Sequence, residues 1–204
     1  MAPRTPFLHP REYFDQHGFD LRPAAVVAGV AALSLALVLI GFGVLLSNKL
    51  AAAGGADAAS TIWPLVGASI VGLVLAMAVG WVLIAGVLHV FARAIIGHDG
   101  RFTETFAIVG WGTAPTALTG LALFVALAVA VDGATVSSPE LFLEQFQATL
   151  QQTSAVRTAI SFAVAGWQTY LYAHGLAVAF DDDSEAPWLA GGVIAYGSWL
   201  LTLF

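Results

Sequence analysis

The sequence predicts an all-α fold, a polytopic membrane bundle of five transmembrane helices, and three observations predict it. Of 204 residues, 59% are hydrophobic and 10% charged, and the mean hydropathy is +0.85; ordinary soluble domains are far more polar. The apolar residues gather in five runs, at about 23–47, 62–96, 104–131, 156–180 and 187–204. The first four exceed the roughly 20 residues a helix needs to cross a hydrocarbon core of ~30 Å, and the fifth barely reaches that length. No shift in composition marks a second domain, so residues 23–204 read as one membrane domain behind a polar segment, 1–22.

Residues 1–22 read as a cytoplasmic amphipathic segment. Pro10 suits a first helical position, and Tyr13, Phe14 and Phe19 suit the water–lipid interface, where they anchor the first span or dock a partner. A long polar lead and no small-residue cleavage site distinguish the segment from a signal peptide. Pro23 opens the first span and Ser47-Asn48-Lys49 closes it; residues 50–61 read as a Gly/Ala-rich loop, and Trp63-Pro64 opens the second span. That second run is longer than a bilayer requires, so it tilts or projects into water.

The stretch Gly97 to Pro115, GHDGRFTETFAIVGWGTAP, is the polar turn of a membrane hairpin. Gly97 and Gly100 flank His98-Asp99, where glycine ends a helix and permits a tight connection. Thr103 is the candidate cap of the next helix, with Glu104 favoured in its first turn. Arg93, one turn before the break, offers Glu104 an ion pair across the hairpin. Pro115 kinks the third span, and Thr113 and Thr116 stand where they can satisfy the carbonyls it frees. Ser138-Pro139-Glu140 then starts a short helix with Leu141, Phe142, Phe146 and Leu150 on one side, an interfacial element too short to cross. The acidic run 181–185 ends the fourth span and reads as a solvated turn.

Orientation follows from the basic residues. Arg4, Arg11, Arg22, Arg93 and Arg101 fall on one side of the bundle and Lys49 and Arg157 on the other. The positive-inside rule therefore puts the N-terminus in the cytoplasm and the C-terminus outside a multi-pass cell-membrane protein.

Together, HPREYF near the N-terminus, five spans, the hairpin GHDGRFTETFAIVGWGTAP with its in-span proline, and WQTYLYAHGLAVAF in the fourth span resemble the Yip family of Ypt/Rab-interacting membrane proteins. The resemblance runs from His9 to the last span, and Gly97, Gly100, Phe102, Glu104 and Pro115 are its most specific part. It implies a five-span protein with a cytoplasmic N-terminus, whose eukaryotic relatives act in vesicle trafficking through Rab GTPases and membrane-shaping partners. The short N-terminal segment departs from those relatives and suits a prokaryotic-type member, so Rab binding does not carry over. One lysine beside six arginines and an acidic loop fits a salt-adapted source.

The chemistry expected is sparse. A net charge of −6 argues against nucleic-acid binding, and the absence of cysteine excludes thiol chemistry. Neither a nucleophile elbow nor a zinc-protease or phosphate-loop motif occurs. His98, Asp99 and Asp181 to Asp183 share a side and offer hard ligands, but without a ligand-spacing motif, so no metal or cofactor is assigned. The polar candidates inside the spans are His89, which shares a helix face with Arg93, and Gln168, Tyr172 and His174 in the fourth span. Interhelical hydrogen bonding is the plainer role for Gln168 and Tyr172, and Arg93 can snorkel.

The function expected is therefore not enzymatic. It is association with membrane proteins, with further copies of the chain or with the lipid bilayer, or local organisation of that bilayer. The alternative is a small transporter or channel whose path His89, Arg93, Pro115 and Gln168 line; an intramembrane enzyme acting on lipid ranks third.

Overall fold

The computed structural model describes residues 3–52, 59–97, 100–135 and 139–201, and among them there is no strand. The helices are α1 (Pro10–His17), α2 (Leu21–Ala52), α3 (Ile62–Ile96), α4 (Phe102–Trp111), α5 (Thr116–Gly133), α6 (Pro139–Gln152), α7 (Ser154–Ala179) and α8 (Ala186–Leu201). Among the described residues, three stretches are long and apolar enough to cross a membrane: α2, α3, and α4 with α5 as one run from Phe102 to Gly133. Their apolar windows have mean hydropathies of 2.6, 2.6 and 2.1, far above that of the whole chain. At 26 residues α7 has the length, but Arg157, Gln168, Thr169 and His174 lower its hydropathy. The 16 residues of α8 reach ~24 Å at 1.5 Å per residue.

Several local signals act differently from their sequence reading. α2 starts at Leu21, before Pro23, because the carboxylate of Asp20 accepts the Arg22 N–H at 2.9 Å and caps the first turn. It also continues through Ser47-Asn48-Lys49 to Ala52. The Ser47 hydroxyl bonds back to the Val44 carbonyl at 3.1 Å, which lets serine sit inside a helix. Thr103 is not the cap of α4; Arg101 holds that position, and its N–H donates to the Glu104 carboxylate at 3.0 Å. Glu104 thus serves its own helix terminus, one half of a capping box.

The chain divides into two compact units. The first comprises Met1–Ala31, Met77–Thr116 and Ser161–Phe204. Its core joins Tyr13 and Phe14 to Leu88, Ile108, Trp111, Tyr172 and Leu176. Backbones approach closely where α8 meets α7: a Cβ on Gly191 would lie 3.0 Å from the Ala173 nitrogen and 3.1 Å from the Thr169 carbonyl. In the second unit, Ala32–Ala76 and Ala117–Ile160, the Lys49 ammonium donates to the Asp132 carbonyl at 2.6 Å. That bond satisfies an orphan acceptor at the end of α5 with a cation at the end of α2. α6 is tied down by the Gln145 side-chain oxygen, which accepts the Thr135 N–H at 2.6 Å, and by Phe146 lying 6.0 Å from Phe42. The expected interfacial helix therefore packs on protein as well. Ser138, its expected cap, lies outside the described residues.

Candidate functional site

The site begins with residues that form no regular structure. Segment 3–9 precedes α1 as a bend and a turn, and its Phe7 and Leu8 carbonyls find partners outside it. Two aromatics of α7 supply them. Trp167 donates its indole N–H to the Phe7 carbonyl at 3.2 Å, and the Tyr170 hydroxyl donates to that of Leu8 at 2.9 Å. The Phe7 ring meets Trp111 and Trp167 edge to face at 5.6 and 6.2 Å. Tyr13 meets Trp111 at 5.3 Å, and Phe14, 1% exposed, stacks on Phe19. Tyr13 and Phe14, read from the sequence as suited to the water–lipid interface, are buried against protein. Burial, with a smaller push from the Asp20 carboxylate, raises the Tyr13 hydroxyl above its ordinary pKa.

An ion pair between Arg11 and Asp183 joins α1 to the acidic turn. Its side chains are 55% and 75% exposed, so it contributes about 0–1 kcal/mol and acts mainly to set register. The turn itself is ordered. The N–H of Asp182 bonds the Ala177 carbonyl at 3.0 Å, that of Asp181 bonds the Val178 carbonyl at 3.4 Å, and Asp181 sits at φ +51°. This is a Schellman closure with aspartate at the left-handed position. Asp182 then accepts the Ser184 N–H at 2.7 Å. The acidic run is thus an ordered turn that stays largely exposed.

The hairpin residues meet the same region. Gly97 closes α3 at φ +75°, its N–H on the Arg93 carbonyl at 3.1 Å, a conformation glycine adopts without strain. A Cβ on Gly100 would lie 2.6 Å from the Phe180 ring, so at Gly100 the demand is for space. His89 shares a hydrogen bond of 3.1 Å with the fully buried Thr105 hydroxyl and packs on Phe102 and Phe180. Arg93 is exposed near the end of α3.

Residues 112–115 form a turn that separates α4 from α5. The Thr116 N–H turns to Thr113 at 3.0 Å, which frees the Gly112 carbonyl, and Gln168 fills the gap by donating to it at 2.9 Å. Thr113 serves the Gly110 carbonyl through its hydroxyl at 2.7 Å. The Tyr172 ring, buried, lies where a side chain on Gly112 would have to go.

The sequence candidates thus fall in separate places. His89 closes the hairpin, Gln168 and Tyr172 seal the helix break, and His174 lines a cleft of about 470 Å3 with His9, Pro10, Arg11, Glu12, Asp15 and Tyr170. Sequence reading gave no role to Trp111, Trp167 or Tyr170 and did not pair Arg11 with Asp183. One signal was available, since Trp167, Tyr170 and His174 lie three and four residues apart and so share a helix face. Among the described residues no three His, Asp or Glu side chains converge as metal ligands, and His98 and Asp99 lie outside them.

Apolar helices of crossing length, a proline-broken run from Phe102 to Gly133 and an N-terminal segment seated on α7 define a multi-pass α-helical membrane protein. The family model of the Yip1 domain matches residues 5–204, and the chain belongs to that family. No curated protein and no solved structure matches it.

Proposed function

We propose that this Yip1-domain protein is a non-catalytic, five-span protein of the cell membrane. In this reading it associates with membrane proteins or with copies of itself, and α7 and α8 are the fourth and fifth spans. The observation that carries it is the use made of the polar groups within the helices. His89 engages Thr105, Gln168 engages the Gly112 carbonyl, and the Trp199 indole donates to Ser161 at 3.0 Å. Groups that line a transport path are aimed into a water-filled cavity, whereas these are used in holding helices together.

Topology is supported within the first unit, where the N-terminal segment meets the turn after α7 and Gly100 at the α3–α4 turn meets Phe180. Those contacts suit one shared membrane face, which the arginines make cytoplasmic. Reporters fused after residue 204 and inserted between His98 and Arg101 check it. The expected result is an external and a cytoplasmic signal, respectively; the same side for both defeats the five-span count. For activity, protein reconstituted in liposomes is expected to show no ion flux above lipid-only vesicles, while cross-linking in native membranes captures membrane proteins or the chain itself. Selective flux abolished by His89→Ala would establish the transporter reading instead.

A further inference from the structure

The cleft between α1 and α7 gathers charged and aromatic side chains from both helices. α1 contributes Arg11, Glu12 and Asp15, with His9 before them, and α7 contributes Tyr170 and His174. The Arg11–Asp183 pair is balanced in charge, so Asp15 and Glu12, whose carboxylate also accepts the Gln16 amide at 3.2 Å, leave a two-carboxylate excess on an exposed wall. Those carboxylates share the hollow with an aromatic edge: His174 lies 4.7 Å from Tyr170 and 5.2 Å from Trp188. Trp188 in turn lines a second hollow of about 820 Å3 with Ile95, Ala186, Leu189 and Glu185. Trp188 and Leu189 are 45% and 57% exposed there. A polar cleft with one guanidinium, two carboxylates and aromatic rings therefore adjoins an apolar hollow through one tryptophan.

We propose that this pair of hollows holds a phospholipid with an ethanolamine headgroup. Its ammonium lies against Glu12, Asp15 and the aromatic edge, its phosphate takes the Arg11 N–H groups that Asp183 does not use, beside His9, and its acyl chains run along Trp188, Leu189 and Ile95. The polar cleft falls within the ~300–1,000 Å3 typical of small-molecule sites. A primary ammonium donates to both carboxylates and gains from an aromatic neighbour. An anionic glycerol headgroup meets the carboxylate excess and is repelled; a choline headgroup has the charge but no N–H to donate. The proposal rests on the reading that the N-terminal segment lies at the membrane surface, though not on which surface.

The test is native mass spectrometry and thermal melting of the full chain in mild detergent, with phosphatidylethanolamine, phosphatidylcholine and phosphatidylglycerol of matched acyl chains added in turn. Phosphatidylethanolamine is expected to be retained best and to raise the melting temperature most. Glu12→Gln with Asp15→Asn weakens its retention by about fivefold, on the scale of two exposed charge contacts. Glu144→Gln, on an exposed position of α6, changes nothing. Glu12→Lys with Asp15→Lys reverses the order in favour of phosphatidylglycerol, a gain that misfolding cannot produce. Equal retention of ethanolamine and choline lipids, or an unchanged preference in the lysine variant, overturns the proposal. Because binding in detergent is independent of topology, a failed reporter assay with intact lipid preference sinks the orientation and leaves the site standing.

Discussion

Gln168 donates to the Gly112 carbonyl at 2.9 Å, across 56 residues of chain, and supplies the bond that the turn before Pro115 removes from its own helix. A leucine there keeps the volume and loses the donor. An unsatisfied buried carbonyl costs about 1–3 kcal/mol in water-soluble proteins, while interhelical bonds in membranes average about 0.6 kcal/mol. The partial burial of this site favours the lower part of that range. Gln168→Leu is expected to lower stability by about 1 kcal/mol, read as a drop of a few degrees in detergent melting, with Gln168→Ala worse because it also leaves a void. A melting curve unchanged in Gln168→Leu removes the bond from the account of the break.

Gly97 and Gly100 are expected to fail for different reasons, and second-site changes separate them. Gly97→Ala is destabilised by about 1–2 kcal/mol through its left-handed backbone, and no neighbouring substitution relieves it. Gly100→Ala is destabilised through the Phe180 ring, and Phe180→Leu restores part of the loss. Rescue of Gly97→Ala by Phe180→Leu would contradict this division.

Asp181 occupies a left-handed position that glycine fills without a Cβ penalty. Asp181→Gly is therefore expected to stabilise the chain by about 0.5–1 kcal/mol, with Asp181→Val destabilising. Chemical and thermal unfolding of both variants decide the sign, and a destabilised Asp181→Gly indicates that the carboxylate itself does work at the turn.

Much of this was readable locally and some was not. α3 keeps the bounds of its apolar run, Ile62 to Ile96, because nothing charged interrupts it before Arg93 and glycine follows it. The break at Pro115 was likewise written in one residue's missing N–H. By contrast, Lys49 reads locally as the end of a helix, and only the Asp132 carbonyl, 83 residues away, explains why the helix continues past it. Burial of Phe14 follows the same logic, since an aromatic on a polar segment looks identical whether lipid or protein covers it. The polar candidates were visible as types, but which of them meet depends on contacts across α3, α4 and α7 that no local spacing encodes.

Tyr13 makes a pH-dependent contribution with a definite sign. Its pKa is raised on folding, so the neutral hydroxyl belongs to the folded state. The contribution is complete below the ordinary tyrosine value of about 10 and is lost progressively as the pH rises past it. Wild-type stability is expected to decline above that point more steeply than that of Tyr13→Phe, followed by tryptophan fluorescence. Parallel curves for the two proteins would show that Tyr13 ionises freely.

The seat of the N-terminal segment also constrains biosynthesis. Phe7 and Leu8 bond to Trp167 and Tyr170, 160 and 162 residues downstream. At roughly 5–20 residues per second, a ribosome takes on the order of ten to thirty seconds to supply those partners. During that interval Phe14 has Phe19 and Tyr13 has His17 beside it, but the Phe7 and Leu8 carbonyls lack their α7 donors. Seating of the segment thus waits until α7 has been made.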